Sequence, residues 1–145
     1  MPDKRALIVY LLSANKNRLH FLPAFAWGML ILAVISIPAG SIPKTALFQF
    51  PHFDKVVHFS MFAVFGILLF VGFFNNMGRG ATAAWKHVSA SLFAGILFGV
   101  LTEYLQFCCI ESRHGNLADV FTNSFGTIFG VFMMVITRRR SRVKP

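Results

Sequence analysis

Carboxylates and amides sit inside stretches of this chain that are otherwise apolar enough to cross a bilayer, and that conflict constrains the fold more than any other feature. The run 88–107 carries Glu103 and Gln106 near its end, and the run 120–136 follows Asp119 and carries Asn123 in its first turn. A third run, 56–74, is led by Asp54-Lys55-Val56-Val57-His58, which sets Asp54 and His58 one helical turn apart. Runs of roughly 17–25 apolar residues match the hydrocarbon thickness, and an ionisable group within one is costly unless it faces the protein interior. The three polar clusters are therefore expected to converge.

Composition agrees with a bilayer setting: 56% of the residues are hydrophobic, mean hydropathy is +0.65 and phenylalanine alone occurs 18 times. A net charge of +9 would suggest nucleic acid in a soluble protein, but there is no polar basic surface or binding motif here, so no nucleic-acid partner is expected. The excess is better explained by orientation in a membrane. Cys108 and Cys109 are adjacent, which suits neither a disulfide framework nor metal-finger spacing. They read as two small apolar residues at a helix end.

In chain order, residues 1–20 hold an apolar piece too short to span, and are expected to lie at the cytoplasmic interface. No small-residue cleavage site follows that piece, so it reads as retained. A first span is expected over 21–37, stopped by Pro38 and Gly40. The loop from Ser36 to Asp54 contains three prolines, and its Phe and Leu residues suit a lid resting on the interface. Spans over 56–74, 88–107 and 120–136 follow, with a basic cytoplasmic tail over 137–145. The fold class is thus all-α integral membrane: a single-domain bundle of four transmembrane helices with a short interfacial N-terminal segment.

Gly95 and Gly99 in the third span, and Gly126 and Gly130 in the fourth, have the GxxxG spacing that allows close helix approach. Extending the first stripe forward reaches Thr102, Glu103 and Gln106; extending the second backward reaches Asn123 and Asp119. Spans three and four are therefore expected to pack against each other along all four glycines.

Lys4, Arg5, Lys16, Arg18, Arg79, Lys86, Arg138, Arg139, Arg140, Arg142 and Lys144 fall on one side of the four spans, against Lys44, Lys55 and Arg113 on the other. The positive-inside rule then puts both termini in the cytoplasm, as a multi-pass protein of a bacterial inner membrane. Asp54, His58, Glu103, Glu111, Asp119 and Asn123 fall at the extracytoplasmic face. At a rise of about 1.5 Å per residue, Glu103 lies roughly 6 Å inside a boundary marked by Phe107.

Every one of these residues has a plain structural reading beside the functional one. Asp54 and Asp119 sit where carboxylates cap helix N-termini. His58 can be a hydrogen-bonded helix residue, or an acid/base group whose tautomer is set by Asp54. Glu103 must be protonated or paired at its depth, with His58, Lys55 or Arg113 as candidate partners. Gln106 and Asn123 read as interhelical hydrogen-bond partners or ligand contacts. Arg113 sits in a short loop and is either solvated or a fork for a carboxylate or phosphate.

Taken together, DKxxHF at Asp54 to Phe59, ExxQ at Glu103 to Gln106 with Arg113 nearby, and DxxxNxxGxxxG from Asp119 to Gly130 resemble the VanZ-like family of small bacterial membrane proteins. The similarity covers roughly 43–135. It implies a polytopic inner-membrane protein and, from the family's founding member, a link to low-level tolerance of the glycopeptide teicoplanin. It carries over Asp54, Lys55, His58, Glu103, Gln106, Arg113, Asp119 and Asn123 as a pattern without assigned roles. The chain departs from the family at Cys108 to Arg113, where members often have a Pro-Gly-Arg style loop.

Two functional classes stay open. One is an extracytoplasmic binding site for an envelope lipid or lipid-linked cell-wall intermediate, with Lys55, Gln106, Arg113, Asp119 and Asn123 holding the headgroup. The other is an intramembrane acid/base enzyme using His58, Glu103 and Asp54 on a lipid-linked substrate. A metal is not expected, because one His with acids lacks a ligand signature, and no cofactor is implied.

Overall fold

A computed structural model describes residues 19–37, 52–76, 81–110 and 116–142. Among them are four helices and no strand: α1 (Leu22–Ile35), α2 (Phe53–Asn76), α3 (Ala81–Cys109) and α4 (Leu117–Arg142). The expected N-terminal interfacial segment, most of the lid loop, Glu111, Arg113 and the last residues of the basic tail lie outside the described residues.

Three helices, α2, α3 and α4, are long and apolar enough to cross a membrane. The first expected span is shorter than read from the sequence. α1 has 14 residues, which at about 1.5 Å per residue gives roughly 21 Å against a hydrocarbon core of about 30 Å. Pro23 occupies its first turn, where a missing N–H costs nothing, and Ser36 turns out of the helix with its hydroxyl donated back to the Leu32 carbonyl. The other three helices overrun the expected boundaries. α4 in particular stays helical through Arg138, Arg139 and Arg140, past the end of the span expected at residue 136. Arginine is a good helix former and its charge suits the negative end of the helix dipole.

The helices alternate in direction, so that α2 and α4 run parallel with α3 antiparallel to both. The most extensive contact is between α2 and α4. Here the glycine expectation needs correction. Gly95 does face α4, where an added Cβ would come within 2.5 Å of Thr127, and Gly99 faces Asn123 and Phe62. Gly126 and Gly130 instead face α2: a Cβ on either would run into the carbonyl oxygens of Phe59 and Ala63, respectively. Residues three apart on a helix point about 60° apart, so α4 turns Asn123 and Thr127 toward α3 while the adjacent Gly126 and Gly130 stripe meets the α2 backbone. Gly66 on α2 answers from the other side, lying against the Thr127 carbonyl.

α1 packs on this pair through Ala24, Ile31 and Ile35, which join Phe62, Phe65 and Leu69 of α2 in one buried cluster. The Trp27 indole donates to the Met61 carbonyl at 2.9 Å, fixing how α1 lies on α2. A second cluster of Phe70, Phe74 and Val131 fills the opposite end of α2 and α4. Outside these clusters the surface is apolar: Phe93, Leu97, Val100 and Tyr104 on α3, and Phe125, Phe129 and Phe132 on α4, are exposed. In water such a surface would drive aggregation, whereas in a bilayer it meets acyl chains.

Candidate functional site

The polar residues at the ends of the apolar runs gather where α2 and α4 begin and α3 ends. His58 lies one turn into α2, Glu103 in the last two turns of α3, and Asp119 and Asn123 on successive turns of α4. All four are buried, Asn123 completely and Glu103 to 5% exposure. Burial at that depth requires hydrogen-bond partners, and each has them.

Asn123 is the centre of the arrangement. Its amide Nδ2 donates to Glu103 Oε1 at 3.2 Å, and its Oδ1 faces His58 Nδ1 at 3.0 Å. A carboxylate offers only acceptors, so the amide nitrogen belongs to Glu103 and the amide oxygen to His58, and the network assigns the proton to Nδ1. Glu103 Oε1 also lies 3.7 Å from His58 Nδ1, and Glu103 Oε2 accepts from the Asn116 backbone N–H at 3.5 Å. His58 Nε2 is turned the other way, 3.7 Å from Oδ1 of the exposed Asp54. That distance is an ion-pair approach rather than a hydrogen bond. The residue that fixes the imidazole is therefore Asn123, not Asp54 as the i, i+4 spacing suggested.

Lys55 and Asp119 form a second link across α2 and α4, Nζ to Oδ1 at 2.8 Å, with the Lys55 side chain 37% exposed. An ammonium has three donors, so Lys55 can hold Asp119 and still offer N–H groups outward. Of the two readings of Asp119, cap or site residue, the cap is taken by Asn116, whose Oδ1 accepts from Ala118 N–H at 3.0 Å, while the Asp119 carboxylate goes to Lys55. Asn116 was missed in the sequence, although an Asn directly ahead of Leu-Ala-Asp is an N-cap signal. Gln106 is drawn to α1, where it donates to the carbonyl of Ile35 at 3.4 Å and so meets one of the orphan acceptors at that helix end. Thr102 donates back to the Gly99 carbonyl at 2.8 Å and completes the polar stripe of α3.

Arg113 lies outside the described residues; of the other seven polar positions of the sequence pattern, Asp54, His58, Glu103 and Asn123 form one line, Lys55 and Asp119 a separate pair, and Gln106 bonds to α1. Cys108 and Cys109 end α3 as exposed free thiols. Among the described residues no three His, Cys, Asp or Glu side chains gather as a metal-holding group. No family model, curated protein or solved structure matches this chain.

Chemically, the arrangement is a hydrogen-bonded line from the buried Glu103 through Asn123 to His58, whose outer nitrogen has the exposed Asp54 at ion-pair distance. With Nδ1 committed inward, His58 exchanges protons, or accepts a hydrogen bond, only at Nε2. Lys55, three residues before His58 on α2, points its ammonium to Asp119 on α4.

Proposed function

We propose that this chain is a protein of a bacterial inner membrane in which the short α1 adds a fourth crossing to those of α2, α3 and α4, with both termini cytoplasmic, and whose acid-bearing end forms an extracytoplasmic site for the headgroup of an envelope lipid or lipid-linked cell-wall intermediate. Its contribution in the cell is to envelope tolerance of teicoplanin-type glycopeptides, as in the VanZ-like family that its motifs resemble. The observation that carries the reading is the Glu103–Asn123–His58 network: buried polar groups from three helices, bonded to one another, with the exposed Asp54 beside His58. Separate helix caps would not need a buried carboxylate and a fully buried amide one hydrogen bond apart. Lys55, partly exposed and with donors beyond those used by Asp119, supplies the positive charge for a phosphate-bearing headgroup.

A second reading is favoured by one feature, the orientation of His58. An imidazole held at Nδ1 and presenting Nε2 toward an exposed carboxylate is arranged for acid/base work on a lipid-linked substrate. Lipid and cell-wall precursor profiles of a deletion strain separate the two readings: an accumulating substrate with a missing product marks the enzyme, and changed glycopeptide tolerance without such a pair marks the binder. His58→Ala and Glu103→Gln should abolish complementation of that strain while the protein accumulates at wild-type level. Full complementation by both variants sinks the site. Topology is tested by reporter fusions at Gly78, Lys144 and Lys44, expected inside, inside and outside; an external signal at Lys144 reverses the orientation.

A further inference from the structure

The end of the bundle remote from Glu103 contains a half-open cavity of about 300 Å³, where α2 and α4 end and α3 begins. It is lined by the rings of Phe70, Phe74, Trp85 and His87 and by Arg138 and Arg139. The Arg138 guanidinium lies 3.5 Å over the Phe74 ring, and the buried His87 packs edge-on to Phe70 and Phe74. Trp85 is 73% exposed on the first described turn of α3 side chains, at the level where indoles favour the headgroup region of a bilayer.

Charge is segregated along the bundle. The acidic side chains among the described residues, Asp54, Glu103 and Asp119, lie at the other end, while Lys86, Arg138, Arg139 and Arg140 cluster here. The cavity therefore combines aromatic walls with two cationic side chains at the end of the bundle. That is the complement of an amphiphile whose head is anionic. A zwitterionic lipid brings its own ammonium beside the phosphate and gains less from the same arginines.

We propose that this cavity binds a single anionic phospholipid, its phosphate between Arg138 and Arg139 and its first acyl methylenes against Phe70 and Phe74. The inference needs only that α2, α3 and α4 cross a membrane and is independent of what the acid-bearing end does. A string of arginines beside any bilayer gathers anionic lipid diffusely. Occupancy of the cavity differs in being saturable at one lipid per chain and in depending on the two arginines that line it, not on Arg142 and Lys144 farther along.

The test uses Trp85 as the reporter. In a Trp27→Phe background it is the single tryptophan, since the chain has two. The full chain is reconstituted in phosphatidylcholine bilayers containing increasing fractions of brominated phosphatidylglycerol or, in parallel, brominated phosphatidylcholine. Quenching should saturate at an at least about fivefold lower fraction of the anionic lipid. Arg138→Gln with Arg139→Gln should remove that preference, and Arg140→Gln, Arg142→Gln and Lys144→Gln together should leave it. Native mass spectrometry of the unsubstituted chain should retain one phosphatidylglycerol, which keeps the test valid if the Trp27 variant folds poorly. Equal quenching by the two lipids, or a preference that follows the outer tail residues instead, overturns the proposal. Loss of the preference on adding millimolar inorganic phosphate also overturns it, by making the site one for a free phosphate ion.

Discussion

At the acid-bearing end of the bundle, Glu103, Asn123 and His58 are held by directional hydrogen bonds from three different helices, whereas at the basic end Arg138 lies over a phenylalanine ring and His87 packs edge-on against two. The two ends use the same three helices and comparable burial, so the difference is one of bonding. Hydrogen bonds between buried groups lose much of their value when a partner is displaced or removed, and they fix one geometry. Ring contacts and cation–π attraction fall off gradually and tolerate a range of positions. The first kind of contact suits the proposed site, which must orient one imidazole nitrogen, and the second suits the flexible amphiphile proposed for the basic end.

The contrast can be broken most severely at Asn123. Asn123→Leu leaves the Glu103 carboxylate buried without its amide donor and should cost about 2–4 kcal/mol, read as a large drop in thermal stability of the detergent-solubilised protein. Adding Glu103→Leu should recover part of that loss, because the buried acceptor is then gone too. If the double variant is no better than the single one, the amide matters for shape rather than for hydrogen bonding. Next in size is Gly130→Ala, which pushes a methyl group into the Ala63 carbonyl and should cost about 1–3 kcal/mol by the same assay. Gly28→Ala is its control: the new Cβ would meet Phe65 at 3.5 Å and Phe98 at 3.6 Å, ordinary contacts, and stability should hardly change. Equal losses for the two would mean that backbone proximity between α2 and α4 is not what holds the pair. Smallest is Arg138→Gln at the basic end, expected to cost about 0.5–1 kcal/mol through the lost contact with Phe74. A loss as large as that at Asn123 would erase the distinction between the ends.

How far the sequence reveals this molecule depends on whether a feature is local. The apolar runs 56–74, 88–107 and 120–136 locate α2, α3 and α4 because burial in hydrocarbon needs only length and composition. Their ends are less legible, since Asn75, Asn76 and the arginines after Ile136 carry no helix-stopping signal strong enough to override the preceding turns. The polar residues of the site stand out by type, being carboxylates and amides in apolar surroundings. Their pairing does not, because it depends on how each helix is rotated. A one-residue shift turns a side chain by 100°, so Gly126 and Asn123 meet different neighbours although both lie near one face of α4. The same limit hides the placement of Arg138 on Phe74, which requires the register of α2 against α4.

The glycine-lined contact between α2 and α4 joins two helices that are not consecutive in the chain. During synthesis α2 and α3 are therefore made before the helix that completes their polar contacts exists. The bonds Lys55–Asp119, His58–Asn123, Glu103–Asn123 and Glu103–Asn116 all draw one partner from α4 or the residue that caps it. Until α4 arrives, Glu103 has only the imidazole of His58 within reach among these groups. These four bonds thus wait for the last helix and its cap, and a chain arrested before Asn116 has none of them.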